Sequence, residues 1–120
     1  MRKVLIVDNS SYMRLFIKKI IEKIESSSIF EASGKDEAIE SFNKEQPDIV
    51  FLDLNMSEAR MDGITVLSEI MKINPETVVI ITSAVGHEHV KDECLQLGAK
   101  EYIRKPFDTK ELIAILDKYE

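Results

Sequence analysis

Tryptophan is absent from this sequence, and cysteine occurs once, as Cys94. A single thiol cannot close an intramolecular disulfide, and none of the Cys/His spacings that hold structural zinc is present. Glycine and proline are scarce, at four and three residues, which excludes collagen-like, low-complexity and linker-like chains. A surplus of base is missing too: 16 Lys and Arg stand against 22 Asp and Glu, for a formal charge of −6. Nucleic acids and anionic membrane surfaces are bound through basic footprints, so neither is an expected partner. No apolar run comes near the ~20 residues that a membrane-crossing helix needs. Met1-Arg2-Lys3 carries the charge of a secretion signal, but the apolar stretch that follows, Val4-Leu5-Ile6-Val7, is too short and ends on Asp8. The expectation is a cytoplasmic protein whose residues 1–120 form one domain, with 44% hydrophobic and 32% charged residues suiting a chain that buries its own core.

What the sequence does hold is alternation. Val4-Leu5-Ile6-Val7, Ile49-Val50-Phe51-Leu52 and Val78-Val79-Ile80-Ile81 are continuous apolar runs rich in β-branched residues, the pattern of strands covered on both faces. Ile29-Phe30-Glu31-Ala32 and Glu101-Tyr102-Ile103-Arg104 are more polar strand candidates, suited to the sheet's edges. Between them lie helix-period stripes: Met13, Phe16, Ile17, Ile20, Ile21 and Ile24; then Ala38, Ile39 and Phe42; then Ile64, Leu67, Ile70 and Met71, closed by Asn74-Pro75. Val90, Cys94 and Leu97 form a fourth, stopped by Gly98. Leu112, Ile115, Leu116 and Tyr119 form the fifth, opened by Asp108 as N-cap with Glu111 three residues on. Strict β-α alternation with short connections predicts an α/β fold of flavodoxin-like (βα)5 type. Its five-stranded parallel sheet has the order 2-1-3-4-5, with helices on both faces.

In such sheets ligands bind beyond the carboxyl ends of the strands, where strand order reverses. The predicted strands end in Asp8-Asn9, Asp53-Leu54-Asn55, Thr82-Ser83-Ala84 and Lys105-Pro106-Phe107. An aspartate after a strand is by itself commonly a turn former or a cap. Asp, Asp, Ser and Lys at four tips on one edge are a different matter. Asp8 and Asp53 would be neighbours, and two carboxylates repel unless a cation lies among them. Oxygen donors of this kind suit a hard ion such as Mg2+. With a lysine and a hydroxyl close by, the edge has the parts of a phosphoryl-transfer site, including a carboxylate able to attack phosphorus.

Taken jointly, Val7-Asp8-Asn9, Phe51-Leu52-Asp53-Leu54-Asn55-Met56, Met61-Asp62-Gly63, Thr82-Ser83-Ala84 and Lys105-Pro106-Phe107 resemble the signature blocks of response-regulator receiver domains. The similarity covers essentially the whole chain, in the family's order and at nearly its spacing. With nothing after the fifth helix, the chain is similar to the stand-alone, chemotaxis-type members. The resemblance implies that Asp53 accepts a phosphoryl group from a histidine kinase or phosphotransfer protein. It implies Mg2+ held by Asp8, Asn9, Asp53 and the backbone carbonyl of Asn55. It further implies that Ser83 and Lys105 contact the phosphoryl group, that Lys105-Pro106 is cis, and that Tyr102 is the aromatic switch residue. The fourth helix, fifth strand and fifth helix would then form the surface that a downstream effector protein reads, with Leu95 as an exposed contact. Such a module is a signalling switch with limited self-catalysis, not a conventional enzyme.

Several positions depart from the family's pattern. Asn9 replaces a second acidic metal ligand and brings no charge, which predicts weaker metal affinity. Ser57 replaces a frequent proline, and Glu58-Ala59-Arg60 lengthen the loop before Met61-Asp62-Gly63. Asn55 and Val85 occupy the positions that govern access of water to the acyl phosphate. One rival reading is therefore a pseudo-receiver, a phosphorylation-independent protein-binding module whose metal site Asn9 has spoiled. The other is a flavodoxin-like cofactor binder, which the lack of tryptophan and of a Ser/Thr-rich loop after the first strand disfavours. His87 and His89, spaced i, i+2, would face different sides of a helix, and Cys94 reads as a small core residue.

Overall fold

The computed structural model describes residues 2–55, 61–84 and 88–119. In chain order these form β1 (Arg2–Val7), α1 (Ser11–Ile24), β2 (Ser27–Ala32), α2 (Lys35–Glu45), β3 (Ile49–Asp53), α3 (Met61–Ile73), β4 (Val78–Ser83), α4 (Glu88–Leu97), β5 (Glu101–Arg104) and α5 (Thr109–Lys118). The strands pair in parallel, in the order β2-β1-β3-β4-β5, so the expected doubly wound sheet is the one observed.

Strand side chains leave on alternate faces, and each face has its own helices. Val4, Ile6, Ile49, Phe51, Ile80 and Ile103 pack with Ile17, Ile20 and Ile21 of α1 and with Leu112 and Leu116 of α5. Leu5, Val7, Val50, Leu52, Val79 and Ile81 pack on the other side with Phe42 of α2, Leu67 and Ile70 of α3, and Val90 and Cys94 of α4. All five residues of β3 are buried, as expected for the middle strand of five. Continuous apolar runs are thus required here: every second residue serves a different core.

The helix signals correspond closely. The Asp108 carboxylate accepts the N–H of Glu111 at 2.9 Å, as the cap motif predicts. Gly98, at φ +118°, ends α4, its N–H bonding the Leu95 carbonyl and that of Ala99 bonding Cys94. This paired arrangement satisfies the last carbonyls of a helix and favours glycine at the left-handed position. Two stripe residues depart from expectation. Ile24 and Leu97 are 39% and 36% exposed, because each is the last residue of its helix, where the chain turns away toward the next strand. Strand β1 also begins earlier than its apolar run, at Arg2. That guanidinium pairs with Glu25 and donates to the carbonyls of Leu116 and Tyr119 at 3.3 and 3.1 Å, closing the end of α5.

Gly63 places α3 against the tip of β3. A Cβ at this position would lie 2.7 Å from both the Cα and the carbonyl oxygen of Leu54, the residue after Asp53. Only a residue without a side chain permits that approach. Gly63→Ala is expected to lower the unfolding free energy by about 1–2 kcal/mol in urea titration, the overpacking cost less alanine's helix-propensity gain. An unchanged midpoint would mean that α3 shifts freely.

Candidate functional site at the carboxyl edge of the sheet

The four strand tips singled out from the sequence lie on one edge, and the Lys105 ammonium joins the tips of β1 and β3 to that of β5. Asp8 follows β1, and its N–H continues the ladder by bonding the carbonyl of Ala32 at 3.0 Å. Its Oδ1 accepts the N–H of Ser10 at 2.9 Å, a local turn that leads into α1. Its Oδ2 accepts Lys105 Nζ at 2.9 Å. The same ammonium lies 3.3 Å from Oδ1 of Asp53, which also accepts the N–H of Asn55 at 3.1 Å. Ser83, the last residue of β4, is fully buried, and its Oγ accepts Asn55 Nδ2 at 3.1 Å. Lys105 is carried to the site by the end of β5: its N–H donates to the Ser83 carbonyl at 2.7 Å, and Lys105-Pro106 is cis as expected.

Asp8 and Asp53 are 1% and 3% exposed and share one ammonium. Burial raises the pKa of Asp53 above the ordinary carboxylate value, and the charge of Asp8 adds to that rise, while Lys105 opposes it. Electrostatically the edge is two buried negative charges against one fixed positive charge. The donor set fits a hard divalent ion: two carboxylates, with the amide oxygen of Asn9 and the backbone carbonyl of Asn55 as neutral oxygens at the adjoining turns. Among the described residues no group of three or more His, Cys, Asp or Glu converges as a metal site.

The remaining candidates are distributed as follows. Asn9 is exposed at the turn after Asp8, and Tyr102 is half-buried on β5, paired with Ile81 two residues upstream of Ser83 on the neighbouring strand. Tyr102 lines a surface groove of about 710 Å³ with Arg104, Pro106, Ala114 and Ile115. Leu95 is 38% exposed on α4. Burial pushes the Cys94 thiol up to about 11, consistent with a core residue and not a nucleophile. His89 is exposed on α4. Met56, Ser57, Glu58, Ala59, Arg60, Val85 and His87 lie outside the described residues. Two contributors were not anticipated. Ser10 caps α1 through the Met13 N–H at 3.2 Å besides bonding Asp8, and its place just before the apolar stripe was a readable signal. Arg14 donates to the Asp8 carbonyl at 2.6 Å, a contact that no linear pattern announces.

The family model described as the response regulator receiver domain matches residues 4–117. The chain belongs to this family. The chemotaxis protein CheY of Thermotoga maritima is 39% identical over 117 residues, covering 98% of this chain and 96% of that protein. CheY of Bacillus subtilis is 36% identical over 116 residues, with 97% and 95% covered. Among solved structures, the response regulator domain of Thermotoga maritima CheB superposes with a TM-score of 0.84 at 30% identity, covering 99% of this chain and 93% of that one. The receiver is thus CheY-like in sequence and in fold. Among its described residues, no helix is long and apolar enough to cross a membrane.

The raised pKa of Asp53 has a consequence for stability. The folded receiver holds that proton more tightly than the unfolded chain does. The group therefore contributes most at low pH, and its contribution is lost as pH rises through the unfolded and then the folded pKa. Asp53→Asn removes the buried charge, so its metal-free thermal midpoint is expected to exceed the parent's near neutral pH, with the gap closing on acidification. A variant less stable than the parent at neutral pH would show that the Lys105 attraction outweighs burial.

Proposed function

We propose that this receiver is a phosphorylation-dependent signalling switch in which Asp53 takes a phosphoryl group from the phosphohistidine of a histidine kinase or phosphotransfer protein. One observation carries the reading: the Lys105 ammonium stands 2.9 Å from Asp8 and 3.3 Å from Asp53, across the tips of separate strands. A carboxylate oxygen of Asp53 attacks phosphorus, the phosphorus–nitrogen bond breaks, and the electron pair stays on the donor's imidazole. Mg2+, held by Asp8, Asn9, Asp53 and the Asn55 carbonyl, would supply charge neutralisation for the phosphoryl oxygens. Lys105 supplies a second, fixed positive charge that needs no reorganisation. Asp53 is 3% exposed, and burial is the largest cause of its raised pKa, a perturbation of the kind that marks functional carboxylates.

The acyl phosphate brings about −2 of charge to the edge. Lys105 and the Ser83 hydroxyl would answer it, with charge-assisted bonds of about 1.5–3 kcal/mol each. Drawing Ser83 toward phosphate breaks its contact with Asn55 and alters the tip of β4, beside the strand that carries Tyr102. A few such contacts suffice to reweight two packings a few kcal/mol apart. The surface of α4, β5 and α5, including the groove beside Tyr102 and the exposed Leu95, is the face whose shape an effector would read.

Incubation with acetyl phosphate and Mg2+ is expected to add the mass of one phosphoryl group to the intact chain, and none to Asp53→Asn. Lys105→Met is expected to slow uptake at least about tenfold, the scale of losing one charged stabiliser. Full labelling of Asp53→Asn would refute the assignment. No adduct on the parent, together with no response to Mg2+, would favour the phosphorylation-independent binding module.

A further inference from the structure

Asp8 is anchored through its main-chain N–H, both carboxylate oxygens and its main-chain carbonyl, and the last of these has no part in the function proposed above. Besides Oδ1 on Ser10 and Oδ2 on Lys105, its main-chain carbonyl accepts Arg14 Nη1 at 2.6 Å. Arg14 belongs to α1 and its side chain is 18% exposed. Its Nε donates to Glu31 of β2 at 3.0 Å, while Lys18 lies 3.9 Å from the second oxygen of that carboxylate. One guanidinium therefore ties together a helix, the tip of β1 and an edge strand. The planar fork suits this task, since its donors hold fixed relative directions, which an ammonium cannot reproduce.

The carbonyl of Asp8 and the nitrogen of Asn9 share one rigid peptide plane. Fixing that carbonyl fixes the plane from which residue 9 departs. A carboxylate at position 9 would be drawn toward a divalent cation by its own charge, whereas an amide offers only a dipole. The amide's value as a ligand therefore depends on being in place beforehand, and partners that orient ligands matter correspondingly more. We propose that Arg14, braced by Glu31, is a positioning residue for the cation-binding turn Asp8-Asn9-Ser10, and that this receiver relies on it because position 9 is an amide. The inference rests on the reading of Asp8 and Asn9 as Mg2+ ligands.

The test is Mg2+ affinity by isothermal titration calorimetry for Arg14→Lys, which keeps the charge but loses the fork, made in the parent chain and again alongside Asn9→Asp. Metal-free thermal melts of all four proteins read any purely structural effect. Arg14→Lys is expected to weaken Mg2+ binding on the order of tenfold in the parent and by no more than roughly threefold alongside Asn9→Asp. Equal losses in the two backgrounds, or no loss in the parent, would overturn the proposal. If a melt shows that Arg14→Lys has not folded, Glu31→Gln, which removes only the brace, takes its place in the same comparison. A parent chain that binds no Mg2+ contradicts the underlying ligand assignment and this inference with it. That outcome is distinguishable because it appears before Arg14 is altered.

Discussion

The receiver is organised around one ammonium held between two buried carboxylates. Burying Asp8 and Asp53 side by side is costly unless a positive charge accompanies them, and Lys105 is the cation the fold itself supplies. The arrangement leaves the edge with an excess of negative charge and a set of oxygen donors. Such a site is stable enough to fold and still electrostatically short of a cation. Receiver chemistry, as proposed for Asp53, exploits that shortfall.

Much of the rest of the molecule can be understood as the means of holding three strand tips in register. Parallel pairing aligns Asp53 with Thr82 and Ser83 with Arg104, so the end of each strand is set by its neighbour. Two cores, one on each face, leave the sheet little freedom to shear. Gly63 lets α3 close against Leu54, and the Lys105 N–H on the Ser83 carbonyl fixes the start of the loop that carries the ammonium. The charged groups are thus placed by apolar packing, and the polar contacts only refine their positions.

The apolar runs made the strands legible, and because each ends abruptly on a polar residue, Asp8, Asp53, Ser83 and Lys105 could be assigned to one edge once alternation implied strand order. Caps and stops were equally readable at Asp108 and Gly98, since their signals are local. Contacts between distant polar residues were not. Arg2 reaching the end of α5, and Arg14 joining Glu31 to the Asp8 carbonyl, depend on which helix lies over which strand end. Periodicity also overstated the reach of two stripes, because it does not register where a helix outruns the sheet, as at Ile24 and Leu97.

The most direct test of the central claim is a crystal structure of the receiver with Mg2+ and beryllofluoride, a mimic of the acyl phosphate. Beryllium is expected on a carboxylate oxygen of Asp53, with the Lys105 ammonium against a fluoride and the metal on Asp8. Beryllofluoride bound elsewhere, or a Lys105 side chain turned out of the edge with the adduct in place, would contradict it.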